Sequence, residues 1–250
     1  GSSPVLQGDR VILTCDGIDR PFTAALDKRT GKLRWRQPRS HLGRAVAKNA
    51  TMPPSRKTEK MAYSTPLVQA VDGVPQLVSS GAYHAAAYDP QTGREIWWLP
   101  YTGYSIVGRP SYGNELFYVV GSVRQDVFCV YAVKPGRGRL KAEQIVWQNS
   151  RGIGHIPSPI LVGKELFVVN DGGVAACLDA LTGKELWRER LGGNYNASPV
   201  EIRGRLYFCS REGKTTVLAA GRRFEIRATN QLDGTFKASP AVADGSLFLR

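Results

Sequence analysis

Histidine is scarce in this chain. Only His41, His84 and His155 occur in 250 residues, with no HxH or HExxH spacing, which argues against a histidine metal centre. The four cysteines, Cys15, Cys129, Cys177 and Cys209, stand far apart and form no CxxC pair, so a zinc ribbon or a redox dithiol is not expected. Each lies in an apolar strand-like run ("ILTCD", "VFCVY", "AACLD", "YFCS"), where a free thiol acts as a small hydrophobe. The spacing leaves open one disulfide among them. A GxSxG elbow and a Walker loop are both missing, and "GIGHIP" at Gly152 lacks the third glycine and following helix of a dinucleotide fingerprint. No stretch of eighteen apolar residues exists, so no transmembrane helix is expected. The opening "GSSPVLQGDR" has no initiator Met, basic n-region or apolar h-region. Any targeting peptide is therefore expected to have been removed or to lie upstream.

Acidic residues are also in deficit. Lys and Arg total 34 against 21 Asp and Glu, for a formal net charge of +13. Such a balance favours polyanions as partners, but the basic residues are spread over many turns, as on a solvated surface. No specific nucleic-acid partner is expected. One stretch is denser. From Pro38 to Lys60, six cations (Arg39, Arg44, Lys48, Arg56, Lys57, Lys60) face one carboxylate, Glu59, for a net of +5, and it reads as a mobile insertion.

What the chain has in quantity is repetition. "AALDKRTGKLRW" (Ala24 to Trp35) returns as "AAYDPQTGREIW" (Ala86 to Trp97) and "ACLDALTGKELW" (Ala176 to Trp187). A second phrase, a small residue and proline followed by a short strand, a glycine turn and another apolar strand, opens at Pro4, Pro66, Pro110, Pro159, Pro199 and Pro240. Successive gaps are 62, 44, 49, 40 and 41 residues, and the long first gap contains the basic insertion. Units of about 40 residues holding several short strands predict an all-β propeller of four-stranded antiparallel blades. In the fourth unit the strands are expected at "SPILV", "ELFVVN", "GVAACLDA" and "KELWRERL". Residues 1–250 read as one domain, five blades and the start of a sixth.

Each DxxTG has a structural reading. Asp27, Asp89 and Asp179 are expected to accept hydrogen bonds from N–H groups two and three residues on. Gly31, Gly93 and Gly183 then close the hairpin in the left-handed conformation. Trp35, Trp97 and Trp187 stand ten residues after Ala25, Ala87 and Cys177. A small residue in one strand and an indole in the next suit blade-to-blade packing, with the ring buried across the neighbouring blade and its N–H on a backbone carbonyl.

The eleven-residue Ala-x-Asp-x-x-Thr-Gly-x-x-x-Trp phrase resembles the tryptophan-docking motif of the PQQ-like, or quinoprotein alcohol dehydrogenase-like, β-propeller repeat family. The third unit is stretched ("AVKPGRGRLKAEQIVW") and the fifth ("LAAGRRFEIRA") has no tryptophan. The resemblance implies a ring of seven or eight blades, of which this chain looks like a part, with the first strand of each blade lining a central channel. Quinoprotein dehydrogenases of that family hold pyrroloquinoline quinone and calcium, and are recognised by an adjacent Cys–Cys pair and a tryptophan floor. Here no such pair occurs, and all five tryptophans belong to the repeat phrase or stand beside it. The BamB-like, non-catalytic type is therefore favoured: a periplasmic or extracellular, envelope-associated scaffold without a cofactor. It would engage a protein partner or an anionic or carbohydrate-like ligand. A PQQ-dependent dehydrogenase is the alternative. Just before the strand-opening prolines stand Tyr63, Arg109, His155 with Ile156, Tyr195 with Asn196, and Phe236 with Lys237. These are the candidate channel-mouth residues.

Overall fold

Strand-forming residues in short alternating runs, each closed by a glycine turn, favour antiparallel hairpins. A computed structural model describes residues 2–17, 20–39, 61–124 and 127–250. The chain falls into two compact units, residues 1–150 and 151–250. Most of the basic insertion lies outside the described residues.

The first unit holds three sheets. Strands β1 (Val5–Gln7), β2 (Arg10–Cys15), β3 (Phe22–Asp27) and β4 (Leu33–Pro38) form the first, in sequence order and antiparallel throughout. The second is β5 (Leu67–Val71), β6 (Val74–Ser80), β7 (His84–Tyr88) and β8 (Glu95–Pro100). The third contains β9 (Ser111–Gly113), β10 (Leu116–Arg124) and β11 (Val127–Val133). After it the chain makes a detour. A two-residue strand, β12 (Gly138–Arg139), pairs in parallel with Trp97 and Trp98 on the edge of the second sheet. A 3-10 turn at Ala142–Gln144, the one helical element among the described residues, then leads to β13 (Ile145–Asn149), which completes the third sheet.

The second unit holds two further four-stranded sheets and a hairpin. Strands β14 (Ile160–Val162), β15 (Glu165–Val169), β16 (Val174–Asp179) and β17 (Glu185–Arg190) form the fourth sheet, within the four runs expected from sequence. The fifth is β18 (Val200–Ile202), β19 (Arg205–Cys209), β20 (Lys214–Ala219) and β21 (Ile226–Gln231). Strands β22 (Ala241–Ala243) and β23 (Ser246–Phe248) pair as a hairpin. Four four-stranded antiparallel sheets, one more such sheet extended by the parallel edge strand β12, and an opening hairpin match the propeller blades expected.

The core runs between consecutive sheets. Ile12, Ala25 and Trp35 of the first meet Leu77, Ala86, Tyr88 and Trp98 of the second. Phe167, Val169, Ala175 and Cys177 of the fourth meet Leu206, Phe208 and Leu218 of the fifth. Burying such side chains stabilises each unit by about 25 cal/mol per Å² of apolar surface removed from water. All four thiols are free. Cys129, Cys177 and Cys209 are buried, whereas Cys15, at the end of β2, is exposed.

Candidate functional site

The three Asp-x-x-Thr-Gly turns share one geometry. Asp27 Oδ1 accepts from Arg29 N at 3.0 Å and Thr30 N at 2.8 Å, and Gly31 N donates to the Asp27 carbonyl at 2.8 Å. Asp179 and Asp89 repeat the pattern with their own turns. Gly31, Gly93 and Gly183 have φ of 69°, 74° and 70°, where a side chain is disfavoured. The Thr30 N–H, with help from the Arg34 guanidinium, holds the Asp27 carboxyl well below the usual range. Burial works against the Asp179 carboxylate, yet the bonds from Arg222 and Thr182 bring its pKa down. These carboxylates are spent on the turn.

The tryptophans lie directly across the ladder from small residues: Ala25 from Trp35, Ala87 from Trp97, Cys177 from Trp187. Trp35 donates through Nε1 to the Pro90 carbonyl of the second sheet's turn at 3.0 Å. Its ring rests on Gly93, where an added Cβ would come within 2.5 Å of the indole. Trp187 likewise donates to the Gly221 carbonyl at 3.1 Å and packs on Phe167 and, edge-on, Phe224. Two expectations need correcting. Trp187 is only partly buried, whereas Trp97 is fully so. Trp97 also finds no backbone carbonyl but donates to Gln76 Oε1 at 2.8 Å within its own sheet.

The residues before the strand-opening prolines form a second recurring device, which sequence reasoning missed. Ser3 N donates to Thr65 Oγ1 at 3.0 Å, Ser158 N to Ser198 Oγ at 3.0 Å, and Ser198 N to Ser239 Oγ at 2.9 Å. Thr65, Ser198 and Ser239 thus each tie their own sheet or hairpin to the preceding sheet. Arg109 occupies this position in the third sheet, and there Ser64 Oγ donates to the Gly108 carbonyl at 2.9 Å instead. The signal was present in the repeated Ser/Thr-Pro, read only as a marker of spacing.

The candidate mouth residues fare unevenly. In the first unit Tyr63 is half-buried, with its N–H on the Ile106 carbonyl at 2.7 Å, and Arg109 is exposed nearby in the chain that Ser64 contacts. In the second unit Asp171 brings two of them together. Its carboxylate accepts from the backbone N–H groups of His155 at 2.7 Å and Ile156 at 3.2 Å, and its carbonyl accepts from Tyr195 N at 2.9 Å. The Tyr195 ring, however, is a core side chain, buried with Leu206 and Phe208, so it does not face solvent. Burial pushes its hydroxyl up to about 12. Asn196 is half-buried and Lys237 exposed, next to Phe236, whose N–H bonds the Arg211 carbonyl at 3.0 Å.

Two charged features had no sequence signal. Arg39, counted with the basic insertion, is instead wholly buried. Its Nε pairs with Asp16 at 2.8 Å and a terminal nitrogen donates to Ser79 Oγ at 2.8 Å, which ties the end of β4 to the second sheet. Burial raises the Asp16 pKa while Arg39 opposes the rise. In the second unit Arg222 reaches from the turn of the fifth sheet to Glu165 and Asp179 of the fourth, at 3.0 Å each. No helix of the described residues is long and apolar enough to cross a membrane.

Comparison with known proteins places this arrangement. The family model described as outer membrane protein assembly factor BamB matches residues 23–139 and 128–237. Among solved structures, BamB from Moraxella catarrhalis superimposes with a TM-score of 0.65 at 16% identity, over 99% of this chain and 68% of that one. Quinohemoprotein alcohol dehydrogenase from Comamonas testosteroni gives 0.62 at 13% identity, over 100% of this chain and 45% of that one. ADHIIG, the quinohemoprotein alcohol dehydrogenase from Pseudomonas putida HK5, gives 0.61 at 14%, over 92% and 42%. At such identities the likeness is one of fold. Among curated proteins, a tetrathionate hydrolase of Acidithiobacillus ferrooxidans is 28% identical over 206 residues, 72% of this chain. The chain spans 40% of that relative's length.

Proposed function

Because the chain belongs to the PQQ-like repeat family of the outer membrane protein assembly factor BamB, we propose that it is a non-catalytic binding or assembly scaffold working outside the cytoplasm. It engages a protein partner or an anionic or carbohydrate-like ligand through its loops. The observation that carries this reading is the employment of the indoles. Trp35 and Trp187 are fastened to the next sheet and Trp97 to Gln76, so these three are not available as a floor for a quinone.

Pyrroloquinoline quinone needs flat partners, a calcium ligand set and a base beside the substrate hydroxyl. Among the described residues no group of three or more His, Cys, Asp or Glu side chains is placed to hold a metal ion. Adjacent cysteines are absent from the sequence. The residues described do not fit that group. The relative that acts on tetrathionate supports a second reading, hydrolysis of a sulfur oxyanion, on 28% identity alone.

One experiment separates these readings. The protein expressed from its full reading frame is assayed for dye-linked alcohol oxidation with added quinone and calcium, and in parallel for tetrathionate consumption. The scaffold reading expects neither to exceed the protein-free background. Turnover in either assay that disappears on substituting channel-side residues such as Arg109 or His155 would overturn it.

A further inference from the structure

The fourth and second sheets offer the same ground for a neighbouring turn, and only one of them is closed. In the fourth, Glu165 lies opposite Asp179 across the ladder, and Arg222 bridges both carboxylates. The corresponding residues of the second sheet are Gln76, one step beyond the Leu77–Tyr88 pair, and Asp89. Arg137 corresponds to Arg222, since each follows by five positions the residue opposite the last strand's tryptophan or its replacement, Ala132 and Val217. Yet Arg137 makes no such bridge. Gln76 has lost the carboxylate, and its amide oxygen is taken by Trp97.

The result is a cleft of about 410 Å³ between the second sheet and the turn of the third. Val71, Val74, Ile96 and Pro135 give it an apolar wall. Arg94 and Arg137 stand on its rim with no carboxylate within ion-pair distance among the described residues, and Asp72 and Asp89 complete the rim. The turn that carries Arg137 is held in place. Lys134 N bonds the Gln144 carbonyl at 2.9 Å, Leu140 N bonds the Trp98 carbonyl at 2.8 Å, and β12 is paired to the second sheet. Gly136 is pressed so closely on the Gln144 amide that a Cβ there would come within 2.0 Å of it. A fixed wall with charges of both signs is complementary to a ligand with charges of both signs and an apolar body.

From this cleft we infer a binding site for a small zwitterion of the apolar α-amino-acid class. The carboxylate lies on Arg94 and Arg137, the ammonium toward Asp72, and the side chain on Val71, Val74 and Ile96. Asp89 is the second carboxylate of the rim, its Oδ1 holding its own turn by accepting from Gln91 N at 2.7 Å.

The test uses three probes that share one ring: L-phenylalanine, 3-phenylpropanoate without the ammonium, and phenethylamine without the carboxylate. Affinities are read by calorimetry and by amide shifts in nuclear magnetic resonance. Phenylalanine is expected to bind with shifts confined to residues around Asp72, Arg94 and Arg137. Each singly charged analogue should bind about tenfold more weakly or worse, the loss of one charge-assisted contact. Arg137→Ala should weaken phenylalanine and phenylpropanoate by a similar factor and leave phenethylamine unchanged. Asp72→Asn should do the reverse, sparing phenylpropanoate. Arg137 and Asp72 are both exposed, so circular dichroism of the variants should match the parent. The inference is overturned if a singly charged analogue binds as tightly as phenylalanine, if the variants fail to discriminate, or if no saturable shift appears at millimolar ligand.

Discussion

If the indole of Trp35 rests on the second sheet's turn, two glycines of identical backbone should respond differently to the same substitution. Gly31 and Gly93 occupy equivalent turn positions with φ of 69° and 74°. An L residue in the left-handed region costs about 1–2 kcal/mol at either site. Around Gly31 nothing lies within 4 Å of an added Cβ, whereas at Gly93 the Cβ would meet three ring atoms of Trp35 at 2.5, 2.7 and 3.1 Å. A ring cannot rotate away like the tip of a lysine, so the clash adds overpacking strain of about 1–3 kcal/mol. Gly31→Ala is therefore expected to cost about 1–2 kcal/mol and Gly93→Ala about 2–5 kcal/mol. In a Trp35→Ala background the excess at Gly93 should vanish, a coupling of about 1–3 kcal/mol by double-mutant cycle. Urea unfolding followed by far-ultraviolet circular dichroism measures the parent and the four variants on one scale. Equal losses at the two glycines, or additivity in the cycle, would refute the contact.

Three further outcomes follow from the geometry. Trp97→Ala should destabilise by about 3–5 kcal/mol, and more than Trp187→Ala, because only Trp97 is fully buried; the reverse order in chemical unfolding would contradict the packing. Burial pushes the Cys129 and Cys177 thiols up to about 12 and raises Cys209 as well, so a disulfide reagent should titrate Cys15 rapidly in the native protein and the other three only after denaturation. Asn194, first through its side chain and then its N–H, lowers Glu212 from 4.5 to about 2. A depressed carboxylate stabilises above its unfolded pKa and loses that contribution as pH falls through the folded one. Glu212→Gln should therefore flatten the acid limb of stability between pH 4.5 and about 2, and an unchanged limb would show that the contact does not persist in solution.

The repeat was legible because the small residue and the tryptophan of its phrase keep a constant ten-residue spacing. Ala25–Trp35, Ala87–Trp97 and Cys177–Trp187 all proved to be direct cross-strand partners, and the four strands of the fourth sheet fell inside their expected runs. What stayed hidden depends on contacts between units of the repeat. Nothing in "RWRQPRS" distinguishes Arg39 from the cations after it, since its partner Asp16 and its acceptor Ser79 are brought in by separate sheets. Tyr195 carries a polar tip and precedes a strand-opening proline, which suggested an exposed mouth residue. The ring turned inward because the fourth and fifth sheets offered it an apolar pocket. The Gln76 acceptor of Trp97 and the pairing of β12 with the second sheet had no signal in the stretched third unit, whose length was visible but whose path was not.

The same comparison shows where this architecture is free to vary. Between the fourth and fifth sheets, the Trp187 bond to Gly221 and the Arg222 bridge to Glu165 and Asp179 act together. On the fifth sheet the corresponding ladder positions hold Ala228, Arg205 and Ala219. Arg203, Arg205 and Arg227 there line a cleft of about 610 Å³. An arginine like Arg222 would meet like charge on that surface, so a segment covering it must bring carboxylates or remain uncharged. Inside the sheets, Leu206 and Phe208 stay as apolar as Leu166 and Val168. Interior positions are thus constrained by packing, which tolerates little change in volume. Rim positions need only complement one neighbour, and three sheets have settled that requirement differently: with a bridge at Arg222, an open cleft at Arg137, and a reversed charge at Arg205.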